Sequence, residues 1–143
     1  MYLLDTNVVS EFRKIRSGRA DAHVAAWAAT VMPADLFVSV ITVQELEIGI
    51  GLVERRDPTQ GQMLRQWLQH QVLPTFAERV LPVDLAVARR SAALHVPDPR
   101  PVRDGLIAAT ALTHRLTVVT RNTADFLPMG VPILNPWLRA ESA

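Results

Sequence analysis

Met1-Tyr2-Leu3-Leu4-Asp5-Thr6-Asn7-Val8-Val9-Ser10-Glu11 is the stretch whose reading decides the fold. An apolar run meets an acid and two polar residues before apolar residues resume. Tyr2 to Asp5 therefore reads as a short buried strand, and the residues from Thr6 to Phe12 as a helix turning away from it. Leu36-Phe37-Val38-Ser39-Val40-Ile41 is a second strand, apolar enough to be central in a parallel sheet, and Thr42 opens a helix running to Glu54. Between the two strands, a polar loop over Arg16 to Asp21 leads to a helix over Ala22 to Val31, with Val24, Trp27 and Val31 on one face. Past the turn at Asp57-Pro58, the spacing of Met63, Trp67, Leu68 and Val72 is helical. Val80 to Val83 is a weaker strand, placed at an edge by Pro82. Asp84 caps a helix to about His95 whose buried side is expected to be Leu85, Ala88, Ala92 and Leu94. Pro97-Asp98-Pro99-Arg100-Pro101 excludes regular structure, and a helix restarts near Asp104 and runs to His114. Leu116 to Val119 is a strand, Ala124 to Leu127 a short helical turn, and Pro132 to Leu134 a last strand. Strands alternating with helices predict one three-layer α/β/α domain over residues 1–143, built on a parallel sheet.

The bulk properties are those of a folded globular chain. Its 143 residues are 49% apolar and 20% charged, with a formal net charge of +1, which makes disorder an unsuitable reading and does not by itself announce a nucleic-acid partner. The absence of cysteine excludes disulfides, thiolate metal sites and thiol nucleophiles, so any metal must be held by oxygen or imidazole. No basic segment followed by a long apolar stretch opens the chain, and no apolar run approaches the roughly 20 residues of a membrane span. The expectation is a cytoplasmic protein with no membrane partner.

Four carboxylates, Asp5, Glu45, Asp104 and Asp125, fall where strands end or helices begin. In parallel α/β folds those junctions gather along one edge of the sheet, where ligands bind. Each has a structural alternative. Asp5 would serve as an N-cap, Thr42-Val43-Gln44-Glu45 matches a capping box, Asp104 suits the positive end of a helix dipole, and Asp125 would simply end a loop. The joint arrangement is more specific, because Thr6, Asn7 and Thr120-Arg121-Asn122 add polar side chains to the same edge and caps alone do not require that cluster. Grouped carboxylates raise one another's pKa unless a cation compensates them. A hard divalent ion does so: magnesium, or manganese in its place, takes carboxylate and water oxygens and suits phosphodiester hydrolysis. His23, His70, His95 and His114 lack metal-ligand spacing, and Trp27, Trp67 and Trp137 read as core or interface anchors.

Four ordered segments then carry a family resemblance across essentially the whole chain. They are Met1 to Glu11, Ser39-Val40-Ile41-Thr42-Val43-Gln44-Glu45-Leu46, Arg103-Asp104-Gly105-Leu106-Ile107-Ala108-Ala109-Thr110-Ala111, and Val119-Thr120-Arg121-Asn122-Thr123-Ala124-Asp125-Phe126. Together they resemble the successive motifs of PIN-domain ribonucleases, most of all the VapC-type toxins of bacterial toxin–antitoxin pairs, and Ile133-Leu134-Asn135-Pro136-Trp137 is similar to the FitB-like branch. The resemblance implies a five-stranded parallel sheet of order 3-2-1-4-5 and an endoribonuclease that uses one or two magnesium or manganese ions. It makes Asp5, Glu45 and Asp104 the metal-binding core. At the fourth motif some relatives carry an acid where this chain has Asn122; here Asp125 would contribute through water or a second ion, with Asn122 as the alternate oxygen donor. Thr6, Asn7 and Thr120 would orient acids or phosphate, and Arg121 and Arg103 would contact RNA.

Water would attack a backbone phosphate and release a 3′-hydroxyl and a 5′-phosphate. The implied partners are single-stranded or looped RNA, a second copy in a homodimer, and a VapB-like antitoxin. That antitoxin's C-terminal segment would cross the active site and its N-terminal part would bind operator DNA. Two rivals remain at this point: a catalytically silent PIN-fold binding module in a repressor complex, and a haloacid-dehalogenase-like phosphatase, against which Asn7 counts because that chemistry wants an aspartate there. Glu47, two residues past Glu45, has no assigned side, and the Ile48-Gly49-Ile50-Gly51-Leu52 run would let another surface pack closely.

Overall fold

The computed structural model describes residues 1–139. Leu3 and Leu4 are both fully buried but belong to different apolar clusters, as successive side chains of a strand covered on both faces must. β1 (Tyr2–Leu4) is the middle of a five-stranded sheet of order β3-β2-β1-β4-β5. Its neighbours are β2 (Leu36–Ser39), with Leu3 opposite Phe37, and β4 (Thr117–Val119), with Leu4 opposite Val119. β3 (Val80–Leu81) and β5 (Ile133–Leu134) are the short edges, and all four pairings are parallel. The expected sheet order, the parallel sense and the edge position of the Pro82 strand are all observed.

One face of the sheet is covered by α1 (Thr6–Phe12), α3 (Val40–Arg56) and the helix that begins as α4 (Pro58–Trp67), turns as a π-helix over Leu68–Val72 and ends as α5 (Leu73–Thr75). They supply Val8, Val9, Leu46, Ile50, Leu68 and Val72 to the core around Leu4, Val38 and Val119, and Trp27 of α2 (Ala22–Thr30) packs at its margin. The other face is built on α7 (Val102–His114), whose Ile107, Ala108 and Ala111 meet Leu3 and Val118, with Phe126 of α8 (Thr123–Phe126) beside them. α6 (Leu85–Leu94) packs on α7.

Two local expectations are corrected. α3 begins at Val40, not Thr42, because Ser39 is its N-cap: the Ser39 hydroxyl accepts from the Ile41 N–H at 3.0 Å. Serine is a strong cap, while Val40 and Ile41 fit the first helical turn as readily as a strand. The capping box at Thr42 and Glu45 is therefore absent, and both side chains are free for other work. On α6 the buried residues are Val87 and Ser91; Leu94 is partly buried against the core as expected, but Leu85 is 74% exposed, and Ala88 and Ala92 are exposed too. The phase follows Gly105 of α7, where a Cβ would stand 3.2 Å from the Ser91 hydroxyl and 3.1 Å from the His95 ring. The smallest residue on α7 thus selects which face of α6 approaches it.

Candidate active site

β1 ends by delivering Asp5 to the C-terminal edge of the sheet. Its backbone N–H is still in register with β4, donating to the Val119 carbonyl at 2.9 Å, while its Oδ1 caps α1 by accepting from the Thr6 N–H at 2.8 Å. The other oxygen, Oδ2, accepts from the Thr120 hydroxyl at 2.8 Å, at the point where β4 leaves the sheet. Asp5 and Thr120 have no solvent exposure at all. An ionised carboxylate so deeply placed requires hydrogen bonds and a cation to offset its lost hydration.

The cation is Arg103. From the first turn of α7 its guanidinium donates through Nε to Glu45, through Nη1 to Asp104 and through Nη2 to Asp5 Oδ1. One planar fork thus joins three acids that are far apart in sequence, the geometry for which arginine is better suited than lysine. The Arg103 side chain is 31% exposed, Glu45 27% and Asp104 7%. Arg103 and Glu45 form the rim, and Asp5 and Asp104 the floor. Burial opposes the charge on Arg103, but Glu45 and Asp5 more than compensate and hold its pKa above the usual arginine value. Burial pushes the Asp104 carboxyl above its ordinary value; Arg103 pulls it down, and the charges of Asp5 and Asp125 push it up again.

Threonine hydroxyls bind the acids to the scaffold. Thr6 donates to Glu45 Oε1 at 2.6 Å and lies 3.4 Å from the hydroxyl of Thr42, which is buried. Thr120 accepts from the Asn122 N–H at 3.0 Å and stands 3.5 Å from Asn7 Nδ2, and Asn7 Oδ1 in turn accepts from the Arg121 N–H at 3.4 Å. Of the expected site residues, the structure brings together Asp5, Glu45, Asp104, Thr6, Asn7, Thr120 and Arg103. Asp125 is exposed in the first turn of α8, close enough to Asp104 to affect its charge, and Asn122 is exposed at the mouth. The Arg121 guanidinium lies over the Trp137 ring, 5.3 Å from its centroid. Glu47 belongs elsewhere: it pairs with Arg65 where α4 crosses α3.

Thr42, read in the sequence as a helix cap, is a contributor that reading missed. Its signal was its place three residues before Glu45 on one helix, which puts both on the same face. Arg103 was expected among the residues that meet substrate, and the structure instead places it among the acids. Beside them, Thr6, Ser10, Arg13, Glu45, Gly49 and Trp67 line part of a cleft of about 330 Å³ between α1, α3 and α4. A second hollow of about 410 Å³, bounded by Trp27, Leu134 and Pro136, contains none of the acids. Among the described residues no helix is long and apolar enough to cross a membrane.

A parallel sheet of order 3-2-1-4-5 with acids from three motifs gathered at its carboxyl edge is the arrangement of a PIN domain, and this chain belongs to that family, whose model (PIN domain) matches residues 2–127. Toxin FitB of Neisseria gonorrhoeae is 39% identical to it over 142 residues, covering 96% of this chain and 99% of that protein. A VapC ribonuclease of Sinorhizobium fredii is 40% identical over 145 residues, covering 96% of this chain and 98% of that one. Among solved structures, FitAB bound to a DNA fragment superposes with a TM-score of 0.88 at 34% identity, covering all of both chains. Membership in this family excludes the haloacid-dehalogenase-like alternative.

Proposed function

We propose that this chain is a divalent-metal-dependent endoribonuclease and the toxin of a toxin–antitoxin pair, acting in the cytoplasm as one domain over residues 1–143. The observation that carries the reading is the gathering of Asp5, Glu45 and Asp104 around one guanidinium at the sheet edge. Names of the relatives support it: one is a toxin and another a ribonuclease.

The donor set fits magnesium, or manganese in its place: three hard carboxylates, two of them buried, with no thiolate in the chain. Asp5, Asp104 and Glu45 would hold the ion, and Asp125 would act through water or a second ion, with Asn122 as the alternate donor. Bound there, the ion would activate water and neutralise the charge that develops on the phosphate. Thr120 and Thr6 hold the Asp5 and Glu45 carboxylates in place, and Asn7 fixes the loop carrying Arg121. Water adds to phosphorus, the bond to the 3′ oxygen breaks, and the products are a 5′-phosphate and a 3′-hydroxyl. Arg121, at the mouth, would contact the RNA backbone. Single-stranded or looped RNA suits an open rim, because its bases are accessible.

The partner in this reading is a VapB-like antitoxin whose C-terminal segment lies over the acids and along the cleft between α1, α3 and α4. The FitAB complex bound to DNA supports a toxin–antitoxin assembly on operator DNA, with the DNA held by the antitoxin. A homodimer would use surfaces such as Ile48 and Leu52, which are exposed on α3. The occupation of the acid cluster by Arg103 favours a second reading, a silent binding module in the same repressor complex. Incubating a mixed pool of single-stranded and structured RNAs with antitoxin-free protein separates the two. Cuts with 5′-phosphate ends are expected in magnesium or manganese, none with chelator and none with Asp5→Asn. Folded wild-type protein that neither cuts nor binds metal would establish the binding module instead.

A further inference from the structure

We propose that Arg103 is a resident counter-cation that a divalent metal ion displaces: it holds Asp5, Glu45 and Asp104 in their converging arrangement before loading, and its guanidinium leaves when the ion enters. The inference rests on the metal-dependent reading above and deepens it.

Arg103 holds one oxygen of each of the three acids. Asp5 Oδ1 already accepts from the Thr6 N–H, and Oδ2 from the Thr120 hydroxyl, both at 2.8 Å. The second lone pair of Asp5 Oδ1 is taken by Arg103 Nη2, while Nε and Nη1 take Oε2 of Glu45 and Oδ1 of Asp104. Magnesium needs its oxygens at about 2.0–2.1 Å in a near-ideal octahedron, a volume that the guanidinium fills. An ion seated on those three oxygens, Asp5 Oδ1, Glu45 Oε2 and Asp104 Oδ1, would therefore have to displace the guanidinium. Among the described residues no three acidic or histidine side chains stand ready to ligate an ion, which agrees with a cluster drawn around a planar fork rather than around a sphere.

Charge favours an exchange over a permanent block. Three carboxylates and one guanidinium sum to −3 + 1 = −2; with a divalent ion in its place the cluster is at −3 + 2 = −1, and the freed arginine stands at the rim. Arg103 is suited to leaving, since it starts from the first turn of α7 and its side chain is 31% exposed. Asp5 and Asp104, which form the floor, are not. The arginine thus acts as a positioning residue that keeps buried acids compensated and aligned at low metal concentration, at the expense of metal affinity.

The test is manganese binding to metal-free protein by titration calorimetry, comparing wild type, Arg103→Lys and Arg103→Gln, with circular dichroism to establish that each is folded. Arg103→Gln is expected to bind manganese at least tenfold more tightly than wild type. Arg103→Lys, whose ammonium cannot bridge three carboxylates at once, is expected to fall between them. In thermal melts, Arg103→Gln should start below wild type without metal and gain more on adding manganese. Equal or weaker manganese binding by folded Arg103→Gln and Arg103→Lys would overturn the exchange while leaving the metal-dependent reading intact. If none of the three proteins binds manganese, the metal-dependent reading falls and the exchange with it.

Discussion

Replacing Thr120 with valine removes one oxygen and keeps the side chain's shape, so its effect reports what the hydroxyl does. In the structure that hydroxyl donates to Asp5 Oδ2 at 2.8 Å and accepts from the Asn122 N–H at 3.0 Å, and Thr120 has no solvent exposure. A hydrogen bond to a charged group contributes about 1.5–3 kcal/mol, more when its loss leaves the charge buried and under-compensated. The Asn122 N–H lies at the exposed mouth, where water can replace its acceptor, and so adds little. The expected loss is about 2–3 kcal/mol. For a chain of this size that corresponds to a fall of about 5–10 °C in Tm, and the midpoint of urea unfolding should fall with no change in slope. Thr120→Ser is the control: it keeps the hydroxyl and deletes a buried methyl, at a cost of about 1 kcal/mol. Serine should therefore be the milder substitution. If the valine variant were as stable as wild type, or more stable than the serine variant, the packing of Thr120 would matter and its bond to Asp5 would not, and the account of how the floor of the site is held would be wrong.

Gly61 is another sharp test, because an added Cβ would stand 2.5 Å from the Glu54 Cα and 2.8 Å from its backbone nitrogen, whereas at Gly49 nothing lies within 4 Å. Gly61→Ala should destabilise by about 1–2 kcal/mol, overpacking outweighing the gain in helix propensity, and Gly49→Ala should stabilise by about 0.5–1 kcal/mol; equal effects in thermal melts would refute the close crossing of α3 and α4. The same crossing is bridged by Arg65, paired with Glu47 and Glu54, and the Arg65 guanidinium holds the Glu54 carboxyl below its ordinary value of 4.5. A depressed carboxylate stabilises the fold above its unfolded pKa and loses that effect as pH falls through the folded one. The Tm difference between wild type and Glu54→Gln should therefore be greatest above about pH 4.5 and shrink toward zero in stronger acid, and a difference that stays constant with pH would remove the ion pair from the account.

Much of the fold is legible in the chain because the sheet is buried on both faces. Leu3-Leu4 and Val118-Val119 are uninterrupted apolar pairs for that reason, and the polar residues that follow them, Asp5 and Thr120, mark where the backbone leaves the core. Boundaries fail where apolar character continues across a change of geometry. Ser39-Val40-Ile41 reads as one strand until the serine hydroxyl is seen to accept from the Ile41 N–H and start α3. The phase of α6 was not legible because its buried side is Val87 and Ser91, a valine and a hydroxyl, chosen by the gap over Gly105; hydrophobicity alone favours Leu85. The acids were legible as members of a site, since their spacing from strand ends could be counted. That Arg103 would stand among them was not, because an arginine next to an aspartate in sequence usually points elsewhere, and only the way α7 approaches the edge brings its fork to Glu45 and Asp5.

The convergence itself follows from topology. The chain moves outward from β1 through β2 to β3, then crosses back to β4 and β5 on the other side. β1 is thus the strand at which the order reverses, and in open parallel sheets the crevice at such a point is where ligands bind. Asp5 leaves β1 at that crevice and Thr120 leaves β4 beside it. α7 returns antiparallel to the strands and leads into β4, so it begins on this edge, which is why Asp104 comes from the start of a helix rather than from the end of a strand. Glu45 reaches the same place from α3, about 1.7 turns past its Ser39 cap. Asp5 and Asp104 are therefore ordinary helix-terminal residues by local criteria, and Asp5 does cap α1. Capping and assembly of the site are not competing explanations for Asp5: the bond from the Thr6 N–H fixes the carboxylate's rotation, and that rotation is what presents the second lone pair of Oδ1 to the Arg103 guanidinium.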